Sequence, residues 1–573
     1  MTTTDSRRCN MPATQTYHDR VNIHLEGANL VSTYTSTEQV VLQYFFTNID
    51  SVVYAATSAM PSELWANLAG GASRSDLDLR DRFLKIFREV TETEEGYVAC
   101  MDSMATSIAG MDLSELKPVM EKATAFMSKW SVTYGHSSLK DSCVDRIIVD
   151  RVSIRVAKLL EETTLGAFQE KSTRYMDFSK ACTVLPYAAP DRDLMDASVA
   201  LLSESSVIYD KMTQACISHY MKTLPDIEFK DEAAKRRTAT AKAFDTARYC
   251  LLVSKPTALA FTIPSRETER HIARLLAHPN LEVRKIAELI KAEAQKINPS
   301  LITHVSPNEF HGQTVDMSDL LTLTNKPGQV LNIGRHWSDE SRVELVSADA
   351  SLFGVAASVY LANQEIASSW EDVYESICSR DDSDEAALQI IERRLAKRGV
   401  HDELPREFGC GEYIYDIIID YGAYRDLQRH RVGTQNVSSL NCANGYTTPE
   451  LLRAPGFEEL LAEYDEYMSN VALVHAQYRK FDPAAAEYWF ALGHNVRFTY
   501  ICNFKQVVYV TELRSKAAGH ICYRMVAISM FDQFVDALVG DHGIDQERFT
   551  NLFRIEREAN TDRRAQENKA QVR

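Results

Sequence analysis

Between Pro299 and about residue 340 the chain loses the hydrophobic periodicity that it carries on either side. The stretch "SLITHVSPNEFHGQTVDMSDLLTLTNKPGQV" holds neither the three-four spacing of a helix nor the sustained alternation of a strand, and it reads as a linker over 301–340. This break constrains the fold more than any other feature. It splits 573 residues, too many for one hydrophobic core, into two parts of domain size. Both parts run in a similar order: a short strand, helices, a basic or semi-basic turn region, then paired amphipathic helices. The predicted division is a polar arm over 1–18, a first domain over 19–300, the linker, a second domain over 341–546 and a polar tail over 547–573.

Within the first part, most of the chain from Glu38 to Gly166 shows helical spacing. "ELKPVMEKATAFMSKWSVTYG" is one such run, ending near Gly135. "VDRIIVDRVSIRVAKLL" starts β-branched and ends with helical spacing, so strand and helix both remain open there. "SRETERHIARLLAHPNLEVRKIAELIKAEAQKI" predicts two amphipathic helices around the break at His278–Pro279–Asn280. In the second part "SRVELVSAD" predicts a strand and "SLFGVAASVYLAN" a helix.

Charge then narrows the function classes. The formal net charge is -17, which disfavours nonspecific attraction to nucleic acid or to anionic lipid. No apolar run reaches the roughly 20 residues of a spanning helix, and no secretory signal is visible behind the first residues. The eleven cysteines include no CxxC pair, which fits reduced thiols in a cytoplasm. No HExxH or Cys/His series marks a metal site, and none is expected.

Against this acidic background, "YRDLQRHRVGTQN" gathers Arg425, Arg429, His430 and Arg431 into seven positions. On a helix Arg425 and Arg429 would share a face and repel by a few tenths of a kcal/mol unless neutralised. Asp420 and Asp426 are at hand for that. The cluster therefore either closes an internal salt-bridge network or takes an anionic ligand, for which the guanidinium fork is suited. The following "VGTQNVSSLNCANGY" is a polar loop with exposed amides and hydroxyls. Downstream, Arg497, Arg514, His520 and Arg524 stand among aromatic and β-branched residues, with Glu512 placed to orient Arg514. In the first part, "YGHSSLKDS" puts Gly135, His136, Ser137 and Ser138 between two helical runs, and "FQEKSTRYMDF" supplies Ser172, Arg174 and Tyr175, with Ser172 and Arg174 two positions apart in a loop and able to clasp a phosphate.

These segments, taken in order, resemble the flavin-dependent thymidylate synthase family, also called thymidylate synthase complementing protein. "RHRVGT" (Arg429 to Thr434) is similar to the family's RHRxxS signature. "STRYMDF" is similar to its serine-x-arginine-tyrosine element, and "GHSS" to its GHxS element. "FTYICNFKQVVYVTELRSKAAGHICYR" is similar to its arginine-bearing helix. The resemblance spans most of 20–300 and 340–530, as two diverged copies in tandem. It implies an α+β fold of two such domains, each a small sheet with mostly helical packing. The departures are complementary. Read without gaps, the first copy has Glu162, Thr163 and Thr164 in place of RHR, and Ala167 in place of the signature serine. The second keeps RHR, with Thr434 for the serine, and has Asn441 and Cys442 where arginine and tyrosine would stand.

What the resemblance implies for function is an FAD-dependent transfer of a one-carbon unit from methylenetetrahydrofolate to C5 of dUMP, with NADPH or NADH as reductant. It implies Arg514 and Arg174 as catalytic residues, and Arg429, His430, Arg431, Thr434 and His520 as cofactor contacts. Ser172, Arg174, Arg514 and Arg524 become nucleotide contacts. Arg174 of one copy is expected beside Arg429 and Arg431 of the other, and two fused chains as a homodimer would imitate a tetramer of single domains. The altered loops leave two alternatives: a flavoenzyme acting on another pyrimidine or one-carbon acceptor, and a non-catalytic nucleotide- or flavin-binding relative.

Overall fold

A computed structural model of the chain describes residues 34–557 except 113, 115–116, 128, 130–136, 180–182, 184–186, 188, 227–228, 230, 309, 311–333, 336–342, 350 and 518. The arm over 1–18, most of the linker, Gly135 and His136 of the GHxS element and the tail beyond 557 lie outside the described residues. The rest forms two compact units. Unit 1 comprises the described residues within Met1–Asp210, Leu251–Pro327 and Asn470–Phe490; unit 2 comprises those within Lys211–Cys250, Gly328–Ser469 and Ala491–Arg573. The units interleave along the chain, and the sequence bounds 19–300 and 341–546 remain a proposal for where each repeat begins and ends.

Ten strands occur among the described residues: β1 (Val53–Ala55), β2 (Val144–Ser153), β3 (Ala167–Glu170), β4 (Pro256–Pro264), β5 (Gly334–Arg335), β6 (Val343–Ala348), β7 (Tyr413–Asp420), β8 (Thr434–Val437), β9 (Tyr446–Thr447) and β10 (Asn495–Cys502). Unit 1 carries an antiparallel sheet in the order β1-β2-β4-β3, and unit 2 an antiparallel sheet in the order β6-β7-β10-β8. The remaining pair, β5 with β9, is parallel and lies in unit 2.

The two four-stranded sheets repeat one another residue by residue at their working end. β2 ends on the pair Ser153↔Pro256, and β7 ends on Asp420↔Asn495. Each of those strand-end residues then caps a seven-residue helix. Ser153 Oγ accepts from Val156 N–H ahead of Ile154–Leu160, and Asp420 Oδ1 accepts from Ala423 N–H ahead of Tyr421–Leu427. The second helical residue bonds back in the same way, Arg155 N–H to Val253 O and Gly422 N–H to Leu492 O. The returning strand pairs Ala167↔Thr262 in unit 1 and Thr434↔Ile501 in unit 2. Single 3₁₀ turns, Arg248–Cys250 and Glu487–Trp489, precede β4 and β10. The ladders differ at a bulge in β2, between Val149 and Val152, where Arg151 takes a left-handed φ of 56°.

Hydrophobic alternation explains the layers. In unit 1, Ile147, Val149 and Phe261 pack with Ile272, Leu275, Ile286 and Ile290 of the two amphipathic helices Ser265–Leu276 and Leu281–Ile297. The alternate residues Tyr54, Ile148 and Ala260 face Trp65, Phe83 and Met101 of the N-terminal helices. Each large side chain buried this way contributes about 1.5–3 kcal/mol before entropy is charged. In unit 2, Phe534 meets Phe504 at 4.9 Å and Tyr413 at 5.1 Å between ring centroids, joining the helices Phe504–Arg514 and Ile521–Val539 to β7.

Candidate functional site

The RHR segment folds as a turn rather than as helix. The helix stops at Leu427, so Arg425 is buried on it while Arg429 stands exposed in the turn beyond, and the two do not share a helical face. Arg431 is half-buried and Thr434 exposed at the start of β8. Gln435 braces the turn, its Nε2 donating to Leu427 O at 3.0 Å and His430 O at 3.2 Å. Gly433 is required here, because a Cβ would lie 2.5 Å from the Tyr500 ring and 2.9 Å from Ile501 O. The turn thus lies flat on β10, with Arg429 and Thr434 turned to solvent.

His430 is only 5% exposed. Arg514, the last residue of its helix, donates from Nε to His430 Nε2 at 2.7 Å, and its Nη1 lies 3.9 Å from Asp426 Oδ1. Burial, reinforced by the Arg514 guanidinium and only partly opposed by Asp426, pushes the His430 imidazole down to about 3. It is therefore a neutral acceptor that aims a guanidinium. The Arg514 guanidinium also sits 5.4 Å from the centre of the Tyr523 ring. The expected orienting role of Glu512 is corrected: Glu512 takes a bidentate pair from Arg398, 2.7 Å on each arm, and the Arg554 N–H.

Sequence reading missed Arg248. It lies in "ARYCLL", on the segment Lys211–Cys250 that belongs to unit 2 although it precedes β4 of unit 1. It is 2% exposed, and its Nε and Nη2 are buried with no hydrogen-bond partner; Asp420 Oδ2 is in the same condition. A Cβ on Gly422 would sit 3.4 Å from Arg248 Nε and 3.2 Å from Asp420 Oδ1, so the two charged groups flank the start of the helix that leads into the RHR turn. A buried guanidinium short of acceptors costs several kcal/mol, so its retention calls for an explanation. The signal for it in the sequence was an arginine–tyrosine pair just past a helix end, beside the cysteine and leucines of a buried turn.

The family likeness lies in the sequence of the first repeat. Residues 89–300 match the family described as thymidylate synthase complementing protein. Over that stretch, a little over a third of the chain, the sequence is similar to the thymidylate synthase complementing protein family. Unit 2, most of which lies outside the matched stretch, carries a sheet of the same strand order and register. A UPF0159 protein of Chlamydia muridarum is 28% identical over 517 residues, 86% of this chain and 91% of that relative. A UPF0159 protein of Thermoplasma acidophilum is 21% identical over 458 residues, 73% of this chain and 87% of that relative. Among solved structures, the UMP/dUMP methylase PolB from Streptomyces cacaoi, bound with 5-Br dUMP, is 16% identical with a TM-score of 0.29, covering 37% of this chain and 96% of that one.

The other residues expected from the thymidylate synthase complementing protein resemblance divide into two groups. In unit 2, His520 caps the helix Ile521–Val539, its Nδ1 accepting from Cys522 N–H at 3.3 Å, and its ring lies 5.9 Å from that of Tyr249. Arg524 donates to Ser515 O at 2.9 Å and Glu556 O at 3.2 Å. Burial lowers its pKa, with Glu556 and Tyr523 opposing. His520 and Arg524 line a cavity of about 460 Å³ together with Tyr220, Lys242, Tyr249 and Glu450, a size that suits a small ligand. Arg497, by contrast, is paired with Asp416 across β10 and β7. In unit 1, Ser172 Oγ accepts from Arg174 N–H at 3.2 Å, and the Tyr175 ring lies under the Arg74 guanidinium at 4.8 Å.

Among the described residues no group of three or more His, Cys, Asp or Glu is placed to hold a metal, and no helix is long and apolar enough to cross a membrane.

Proposed function

We propose that unit 2 binds a deoxyuridylate-type nucleotide and methylates its pyrimidine at C5, as a thymidylate synthase-like enzyme. The family match over residues 89–300 supports the class. The observation that carries the reading is the Arg514–His430 hydrogen bond, which fixes a guanidinium on the edge of the RHR turn. The residues of the turn fit a flavin dinucleotide: Arg429 and Thr434 present an outward guanidinium and hydroxyl on a braced backbone, suited to phosphate oxygens. Arg431 completes that set. When bound, reduced FAD, replenished by NADPH or NADH, supplies a hydride, and methylenetetrahydrofolate the one-carbon unit.

The chain's own part is to hold and polarise. Arg514 stabilises negative charge on the pyrimidine as C5 becomes nucleophilic, an effect worth about 3 kcal/mol for one preorganised donor. His430, being neutral, fixes the guanidinium without competing for the anion. Arg248, buried next in sequence to the cavity-wall residue Tyr249, places a positive charge behind the nucleotide site. His520 and Arg524 stand in the cavity wall as nucleotide or cofactor contacts. Ser172 and Arg174 stay in the proposal as phosphate-holding groups on the resemblance alone.

The test has two parts. Purified protein should carry a flavin absorbance band, or acquire one with added FAD. With FAD, reductant and methylenetetrahydrofolate it should release tritium from 5-tritiated dUMP. Release from UMP but not dUMP would redirect the substrate. Failure of both with flavin bound would leave a flavin-binding relative, and no flavin uptake would defeat the reading.

A further inference from the structure

The repeat allows every group around Arg248 to be compared with its counterpart in unit 1. Gly422 corresponds to Arg155, at the same helical position and with the same backbone bond. Arg248 corresponds to Glu487, each the first residue of its 3₁₀ turn. In unit 1 these counterparts join: Arg155 Nε donates to Glu487 Oε2 at 2.9 Å and Nη2 donates to Oε1 at 3.1 Å, with side chains 14% and 13% exposed. The guanidinium has changed sides, and the carboxylate stands where unit 2 has the unsatisfied arginine.

The next residue is tyrosine in both units. In unit 2 the Tyr249 hydroxyl meets only a soft partner, Cys522 Sγ at 3.1 Å, on the cavity wall. In unit 1 the Tyr488 hydroxyl donates to Glu282 Oε2 at 2.6 Å, and Glu282 holds the second position of its helix as Cys522 does. Glu282 also accepts from Ser153 N–H at 2.9 Å and Ser153 Oγ–H at 2.7 Å, and Ser153 is the counterpart of Asp420. Tyr187 packs at 5.6 Å on the Tyr488 ring, and its hydroxyl accepts from Leu281 N–H, so that helix start is covered as well. The turn that should read RHR is also used internally. Thr163 Oγ1 lies 3.1 Å from His271 Nδ1, and Glu162 accepts from Arg274 at 2.7 Å.

We propose that unit 1 has turned its copy of the Arg248 position into a closed internal latch. The Glu487 carboxylate serves Arg155 as a built-in anion, and each chain consequently holds one nucleotide site, in unit 2. The stoichiometry rests on the functional reading above; the latch does not. In unit 1 the opposite charges neutralise one another and every carboxylate oxygen of Glu487 and Glu282 is used. In unit 2 the cation is left short of acceptors. At the Arg248 position of unit 2 guanidinium donors await an acceptor, whereas at the equivalent position of unit 1 the guanidinium and the carboxylates satisfy one another.

Two measurements on the full chain decide it. Calorimetric titration with dUMP should give one nucleotide per chain; two would overturn the proposal. Arg155→Gln and Glu487→Gln should each lower Tm by about 5 °C or more. The double variant should melt no lower than the worse single one, and dUMP stoichiometry should stay at one in all three. Single variants that melt like the parent would overturn the latch. If dUMP does not bind at all, the functional reading fails and the melting series decides the latch by itself.

Discussion

Unit 1 and unit 2 share a strand ladder, two helix caps and a 3₁₀ turn, yet they spend their buried charges in opposite ways. Unit 1 pairs Arg155 with Glu487 and satisfies Glu282 with Tyr488 and Ser153. Unit 2 leaves Arg248 and Asp420 with buried atoms that have no partner, and aims Arg514 with a neutral histidine. The difference teaches where to look in a duplicated fold. Of two equivalent places, the one that forgoes stability is the one to test for a ligand.

The sharpest way to break the contrast is to copy unit 1 into unit 2. Arg248→Glu with Gly422→Arg recreates the latch pair, and it should weaken dUMP binding by about 1,000-fold while Tm holds or rises. Calorimetry and a thermal melt on the same preparation check both halves of that outcome. Next in size, Arg514→Ala should lower turnover by about 100-fold with flavin occupancy, read from absorbance, unchanged. His430→Phe should lower kcat/KM by about tenfold, because a hydrogen bond to a charged donor is lost while the turn keeps its Gln435 brace.

The smallest effect is one of pH. His271 and His430 are pushed down to about 3, and His278 and His475 to about 4, in each case by burial first. Since the folded pKa values lie below the unfolded value near 6.5, the stability these groups contribute is complete above about pH 6.5. It falls away as pH drops toward 4 and 3. Three of the four lie in unit 1. Hydrogen exchange between pH 7 and pH 5 should therefore loosen the helices Ser265–Leu276 and Leu281–Ile297 before the helix Ile521–Val539. Equal loosening would contradict the difference between the units.

Much of this was legible in the residues. The β-branched start and helical end of "VDRIIVDRVSIRVAKLL" became β2 and Ile154–Leu160, and the His278–Pro279–Asn280 break separated two helices as expected. The loss of RHR from the first copy, read without gaps as Glu162, Thr163 and Thr164, agrees with the strand register. What was not legible depended on partners far apart in sequence. Local spacing placed Glu512 near Arg514, but Arg398 claims it from 114 positions away. The bond that Arg514, 84 positions on, makes to the RHR histidine was likewise out of reach of local spacing. Nothing local to "ARYCLL" announced that Arg248 would serve the other repeat.

That last point bears on how the molecule is born. Unit 1 needs Asn470–Phe490 and unit 2 needs Lys211–Cys250. On the ribosome, the early-made strands must wait for a stretch translated some two hundred codons after them, and the late-made strands find their missing stretch already exposed. Contacts of such separation close slowly. The duplicated gene can no longer be cut back into two self-sufficient halves: each half would emerge lacking a piece only its sibling encodes.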